Sequence, residues 1–192
     1  VQIAKEPIST KGPRLTAEIF SLRTAEVVRA IALREIDLGF GYNLAAPSSV
    51  TMVTIARMRL VVAVRKGHPL LGKKAAMRPK HLAEYPSAAP KAFTGVENCE
   101  SHPVLERWGV KPHTPLIFDD YAVAEALLET TDAWALIPEW VVKRAPGLTA
   151  AISPPATLTP LSVSAMWPKA HPPGRVLEGL IEQVKRRLAK DV

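Results

Sequence analysis

"SLRTAEVVRAIALREIDLGFGY", Ser21 to Tyr42, decides the fold, because it sets a polar turn, a helix and a strand in immediate succession. Thr24 to Arg34 places Val27, Val28, Ile31 and Ala32 on one helical face. Ahead of it, Arg14 to Phe20 alternates as a strand does, and behind it Ile36 to Tyr42 is a second short apolar run. The gap between the runs suits a helical crossover and predicts parallel neighbours, a βαβ unit.

Working outward, a polar loop with Pro47-Ser48-Ser49 leads into Met52 to Val64, which reads as extended chain. It ends at Arg65-Lys66-Gly67-His68-Pro69, a turn signal. The spacing then predicts a strand over 87–93, a helix over 99–108 closed by Gly109, a strand over 115–118 and a helix over 121–129. A strand over 133–137, a short helix over 139–144 and a strand over 148–152 complete this group. After a proline-rich connector, Pro154-Pro155 to Pro160, come a strand over 161–167 and an amphipathic helix over 175–189. No internal repeat or low-complexity tract interrupts the order. Strands alternating with helices predict an α/β fold with largely parallel sheets. Two such groups, joined near residues 60 and 160, predict two lobes with two crossings, and a cleft between lobes is the expected binding place.

With 47% hydrophobic residues in 192, the chain has enough apolar side chain for a substantial core. Its longest apolar runs, such as Leu60 to Val64, fall far short of the roughly 18 residues of a membrane span. A soluble protein without membrane contact is expected, in the cytoplasm. No signal peptide is visible after Val1, and the chain reads as part of something longer. The lone Cys99 fits a reducing compartment. The charge of +7 suits acidic ligands, although the excess reads as thinly spread. Its densest cluster, Lys185-Arg186-Arg187 with Lys190, ends the last helix, where cations complement the dipole. A solvated face is the expected role of that cluster, with nucleic-acid contact the minor alternative.

Few residues suggest chemistry. Thr24 ahead of Ala25-Glu26-Val27 is a good N-cap, and helix amides also attract anions, so a plain cap and a ligand contact both fit. Arg23 beside it could pair with a carboxylate or stay solvated. Cys99 and His102 share helical spacing but lack a third ligand, so no metal site is expected. Asp119-Asp120 could be an acid/base pair, yet Asp120 better suits the cap of the next helix. No nucleophile elbow, phosphate-cradling loop or His-Glu-x-x-His is present, which disfavours an enzyme and implies no cofactor.

Taken in order, "SLRTAEVVRAIALREIDLGFGY", "RLVVAVRKGHPLLGKK" and "DDYAVAEALLE" leading into "ALIPEW" resemble the effector-binding domain of LysR-type transcriptional regulators. The likeness runs from about Arg14 to about Ala189. It implies two Rossmann-like lobes joined by two crossover strands, a type II periplasmic-binding-protein-like fold with a ligand cleft between the lobes. Lobe I would be 1–59 plus 161–192 and lobe II 60–160. The family's first strand and its winged helix-turn-helix domain would lie upstream of Val1, and Val1 to Ser9 would finish the first helix. The implied effector contacts are Arg23, Thr24, Tyr42, Asn43, Thr94, Val96, Glu97, Asn98, Ile137 and Pro138. The ligand would be a small molecule, an organic acid by the charge balance. The implied assembly is a homodimer of this domain and a tetramer of the whole protein. Promoter DNA would be bound through the upstream domain, leaving none to this region, and RNA polymerase is a further partner. One departure stands out: the family commonly has a Gly-x-Gly-type turn before the Ile-Pro strand, whereas this chain reads Thr131-Asp132-Ala133. An altered backbone and pocket shape are expected there, with Trp134 approaching the cleft. The alternative class is a transporter's solute-binding protein of the same two-lobed shape.

Overall fold

The computed structural model describes residues 3–4, 18–20, 22, 24–42, 46–90, 103–113, 116–118, 120–155, 157 and 161–190. The chain divides into two units, Val1–Arg57 with Leu161–Asp191, and Met58–Pro160.

In the first unit a four-stranded sheet has the order β1-β2-β9-β3, with β1 Ile3–Ala4, β2 Leu38–Tyr42, β3 Val50–Met58 and β9 Leu161–Pro168. Helix α1, Thr24–Ala32, buries Val27, Ala30 and Ile31, the i, i+3, i+4 stripe that the helical period requires. They pack with Ile36, Val50 and Met166. Gly39 permits this approach, since a Cβ there would lie 2.5 Å from Val27 Cγ1. The helix stops through paired turns: Glu35 N–H donates to Ala30 O at 2.9 Å and Arg34 N–H to Ile31 O at 3.1 Å. Arg34 takes the left-handed position, φ 61°, where glycine is usual. The C-terminal helix α5, Arg175–Lys190, buries Leu177 and leaves Val176 and Leu180 exposed.

The second unit holds a five-stranded sheet, β6-β5-β7-β4-β8. Its strands are β4 Leu60–Arg65, β5 Ser87–Pro90, β6 Leu116–Phe118, β7 Trp134–Pro138 and β8 Leu148–Ile152. Between β4 and β5 run two 3-10 segments, Pro69–Ala76 and Pro79–Glu84. Strands β4 and β7 are apolar without alternation, because both of their faces are covered. Helix α3, Tyr121–Thr130, sends Ala124 and Leu128 into a cluster with Ala63, Ala88, Phe118, Ala135 and Ile137. Helix α4, Glu139–Arg144, adds Val141. The short α2, Pro103–Arg107, closes at Gly109, φ 73°.

Three expectations are corrected. Within Val1 to Ser9, expected to finish a helix, Ile3 and Ala4 instead form β1, antiparallel to β2, and the rest lies outside the described residues. The sheets are mixed rather than largely parallel: β5 runs parallel to β6 and β7, but β4 is antiparallel to β7 and β8, and β2 is antiparallel to β1 and β9. Among the described residues β2 has no parallel neighbour: β1 and β9 both run antiparallel to it, and 18–20 carry no strand. Residues 14–17 lie outside the described residues. The physical reason is that β–α–β spacing fixes how far a chain can return, but β4 and β9 pair with β7 and β2, strands far away in the chain whose direction no local period encodes.

Candidate functional site

Of the expected contacts in the first unit, Thr24 opens α1, and its backbone lies at the start of that helix. Arg23, Asn43 and the Thr24 side chain lie outside the described part. Tyr42, half-buried, ends β2 across from Val163 of β9. Beside it Gly41 faces Ser164, a buried hydroxyl residue that sequence reasoning passed over. The signal was present in "LSVSAMWP", where two serines alternate with apolar residues in a strand that returns beside β2.

In the second unit Ile137 pairs with Val61 and Pro138 with Leu60, at the carboxyl end of β7. Ile137 is fully buried within the core cluster. Pro138 is buried and starts α4, and Glu139 N–H donates to Arg59 O at 2.9 Å, fixing this end of the strand. The remaining expected contacts, Thr94, Val96, Glu97 and Asn98, lie outside the described residues.

The opposite end of β7 is held by a different set of groups. His68 is 1% exposed; Leu70 N–H donates to its Nδ1 at 3.0 Å, so the ring proton sits on Nε2 and is donated to Asp132 O at 2.9 Å. Arg65 Nη2 and Nε both donate to Asp132 Oδ1, at 2.7 and 3.0 Å. Thr131 Oγ1 donates to Leu127 O at 2.8 Å and accepts from Ala133 N–H at 3.2 Å. Thr131 has φ −133°, so a hydroxyl stitches this turn without any left-handed residue. The departure from a glycine turn is therefore accommodated by ordinary backbone.

That turn also lies at the amino end of β7, about 15 Å along the strand from Pro138. Trp134 does not reach an open face: it is fully buried, and its Nε1 donates to Leu82 O at 2.8 Å. The correction has a simple cause, since every residue of β7 is covered on both sides of the sheet and the indole N–H needs a carbonyl there. Nearby, Lys73 Nζ meets Glu84 at 2.9 Å, and this hydrogen bond, more than the surrounding positive charge, holds the exposed Glu84 carboxyl below the usual carboxylate range.

Asp120 caps α3, accepting from Ala122 N–H at 2.6 Å. Its neighbour Asp119, and the pair Cys99 and His102, lie outside the described residues. Among the described residues no three His, Cys, Asp or Glu side chains gather as a metal site, and no helix is long and apolar enough to cross a membrane. Trp140 carries Arg144 over its ring at 5.1 Å and meets Tyr121 edge-on, while its buried Nε1 has no hydrogen-bond partner.

Residues 8–189 match the LysR substrate binding domain family. No curated protein matches the chain by sequence. Among solved structures, a probable transcriptional regulator from Pseudomonas aeruginosa is 22% identical with a TM-score of 0.61, over 82% of this chain and 52% of that one. The regulatory domain of MexT, a transcriptional activator in the same organism, gives 22% and 0.61 over 82% and 76%. The effector binding domain of QuiR in complex with shikimate gives 12% and 0.67 over 88% and 79%. At these identities the likeness shows the fold. The chain spans about half the length of the first of these regulators. With nearly all of its length matched, the chain belongs to the LysR substrate-binding family, as an effector-binding domain.

Proposed function

We propose that this domain senses a small organic acid on behalf of a LysR-type transcriptional regulator. The observation that carries the reading is the family match across 8–189, which favours a regulator over a transporter's solute-binding protein. A domain of the same fold holding shikimate supports the class of ligand. The groups proposed to meet the acid in the first unit are Arg23, Thr24 and the first amides of α1, with Tyr42 and Asn43 at the end of β2. In the second they are Thr94, Val96, Glu97 and Asn98 and the β7 terminus at Ile137-Pro138. Ile137 is engaged in the core and Pro138 is buried, so the contact proposed there falls to the main chain at the end of the strand.

Binding would change transcription only through a difference in affinity between two assembly states. The homodimer, the tetramer of the whole protein, its promoter DNA contact through an upstream domain, its action with RNA polymerase and its place in the cytoplasm belong to the same proposal.

Thermal unfolding in the presence of a panel of carboxylic acids tests it. A ligand at a hundred times its Kd adds about 2.7 kcal/mol and raises the Tm of a domain this size by roughly 5–10 °C. A panel in which neutral sugars or amines stabilise the chain and no acid does would overturn the assignment of ligand class.

A further inference from the structure

Counted by segment, the positive charge is not thinly spread. Residues 38–96 contain nine Lys or Arg and a single acid, Glu84, a net +8 where the whole chain carries +7. The other residues, including the cluster at Lys185-Arg186-Arg187, hold sixteen cations against seventeen acids. The excess is concentrated after β4. From Arg65 to Glu84 the sequence has Arg65, Lys66, Lys73, Lys74, Arg78 and Lys80. Arg65 is paired with Asp132 and Lys73 with Glu84, and Arg78 Nη1 donates to Met77 O at 3.0 Å. Lys66, in the turn that closes β4, and Arg78 and Lys80, around the second 3-10 segment, have exposed side chains. Lys73 of the first 3-10 segment meets Glu84 of the second at 2.9 Å, and Tyr85, just after the second segment, packs against His68 of the turn, which brings the turn and both segments together.

We infer that the turn and the two 3-10 segments following β4 form a docking surface for the phosphate backbone of duplex nucleic acid. The character of the patch selects that partner. A protein partner needs an apolar centre to its interface, yet the exposed large apolar side chains described in this unit are Ile117 and Val123, outside the segment. A single strand needs free aromatic faces, yet Tyr85, the aromatic of the segment, packs against His68 with centroids 4.8 Å apart. Unaccompanied cations fit duplex phosphates, which are held by charge without stacking. The inference gives this domain a contact of its own with DNA, in addition to any made by an upstream domain, and it stands without the effector reading.

The test is fluorescence anisotropy of a labelled duplex of arbitrary sequence with this chain, titrated with salt. Lys66→Gln/Lys80→Gln leaves both local ion pairs intact. It should flatten the slope of log K against log salt by about 1.8, so that the loss of affinity between about 50 and 200 mM salt shrinks roughly ten-fold. Lys185→Gln/Arg186→Gln/Arg187→Gln should leave the slope unchanged. The inference is overturned if no duplex binds at low salt, if only the C-terminal triple variant alters the slope, or if polyglutamate competes out the duplex at equal charge concentration, which would assign the face to an acidic polypeptide.

Discussion

The two ends of β7 differ more than its five-residue length suggests. At the amino end, His68, Arg65, Thr131 and Trp134 tie three turns together through hydrogen bonds to main-chain carbonyls and to Asp132. At the carboxyl end, Ile137 and Pro138 are buried among apolar neighbours, and the next element starts at once from a single backbone bond to Arg59 O. The sequence departs from its family at the first end, while the proposed ligand contact lies at the second.

Removing the histidine should break the fastened end most severely. In His68→Ala the Leu70 N–H and the Asp132 carbonyl lose their partners in a buried place, and a cavity opens, together about 3 kcal/mol. The Tm should fall by roughly 10 °C, with the ligand affinity of the remaining folded protein unchanged. Loss of affinity at unchanged Tm would mean that the two ends are not separate.

A smaller effect is expected from Asp132→Ala. Its ion pair with Arg65 is partly exposed, 31% and 48% for the two side chains, so the pair contributes less than about 1 kcal/mol after solvent screening. The backbone carbonyl that His68 uses survives this change, and chemical denaturation should show a small shift in midpoint with no change in slope. A loss as large as that of His68→Ala would make the carboxylate, and not the carbonyl, the fastening group.

The smallest effect is a pH dependence at Glu84. Its carboxyl is held below its ordinary value by Lys73 when folded, so its contribution to stability is present above the ordinary carboxylate range and disappears as pH falls through the lowered value. Lys73→Met should make the decline of Tm with acid below about pH 4 slightly shallower. An identical acid limb in both proteins would leave the pair without a role in stability.

Much of this was legible beforehand. Val27 and Ile31 mark the buried face of α1, Asp120 caps α3 and Gly109 ends α2, because caps, stops and helical faces are written within a few residues. Strand direction was not, since β4 and β9 meet antiparallel partners that lie far away in the chain. His68 read as part of a turn; its partner Asp132 is 64 residues on, so no local pattern could show the bond. Arg34 in a glycine conformation is likewise fixed by how α1 must turn into β2, against its own propensity. For the site, the start of α1 and the ends of β2 and β7 could be placed from spacing. That Ile137 and Trp134 would be core side chains depends on the sheet being covered on both faces, which their own segments do not reveal.

The central claim is the proposal that a small acid is met at the start of α1. A calorimetric titration of the most stabilising acid into Thr24→Val addresses it directly. The account predicts a Kd at least about ten-fold weaker, the equivalent of roughly 1.4 kcal/mol, with the Tm of the unliganded protein nearly unchanged. An unchanged Kd would reduce Thr24 to a helix cap and contradict the placement of the ligand.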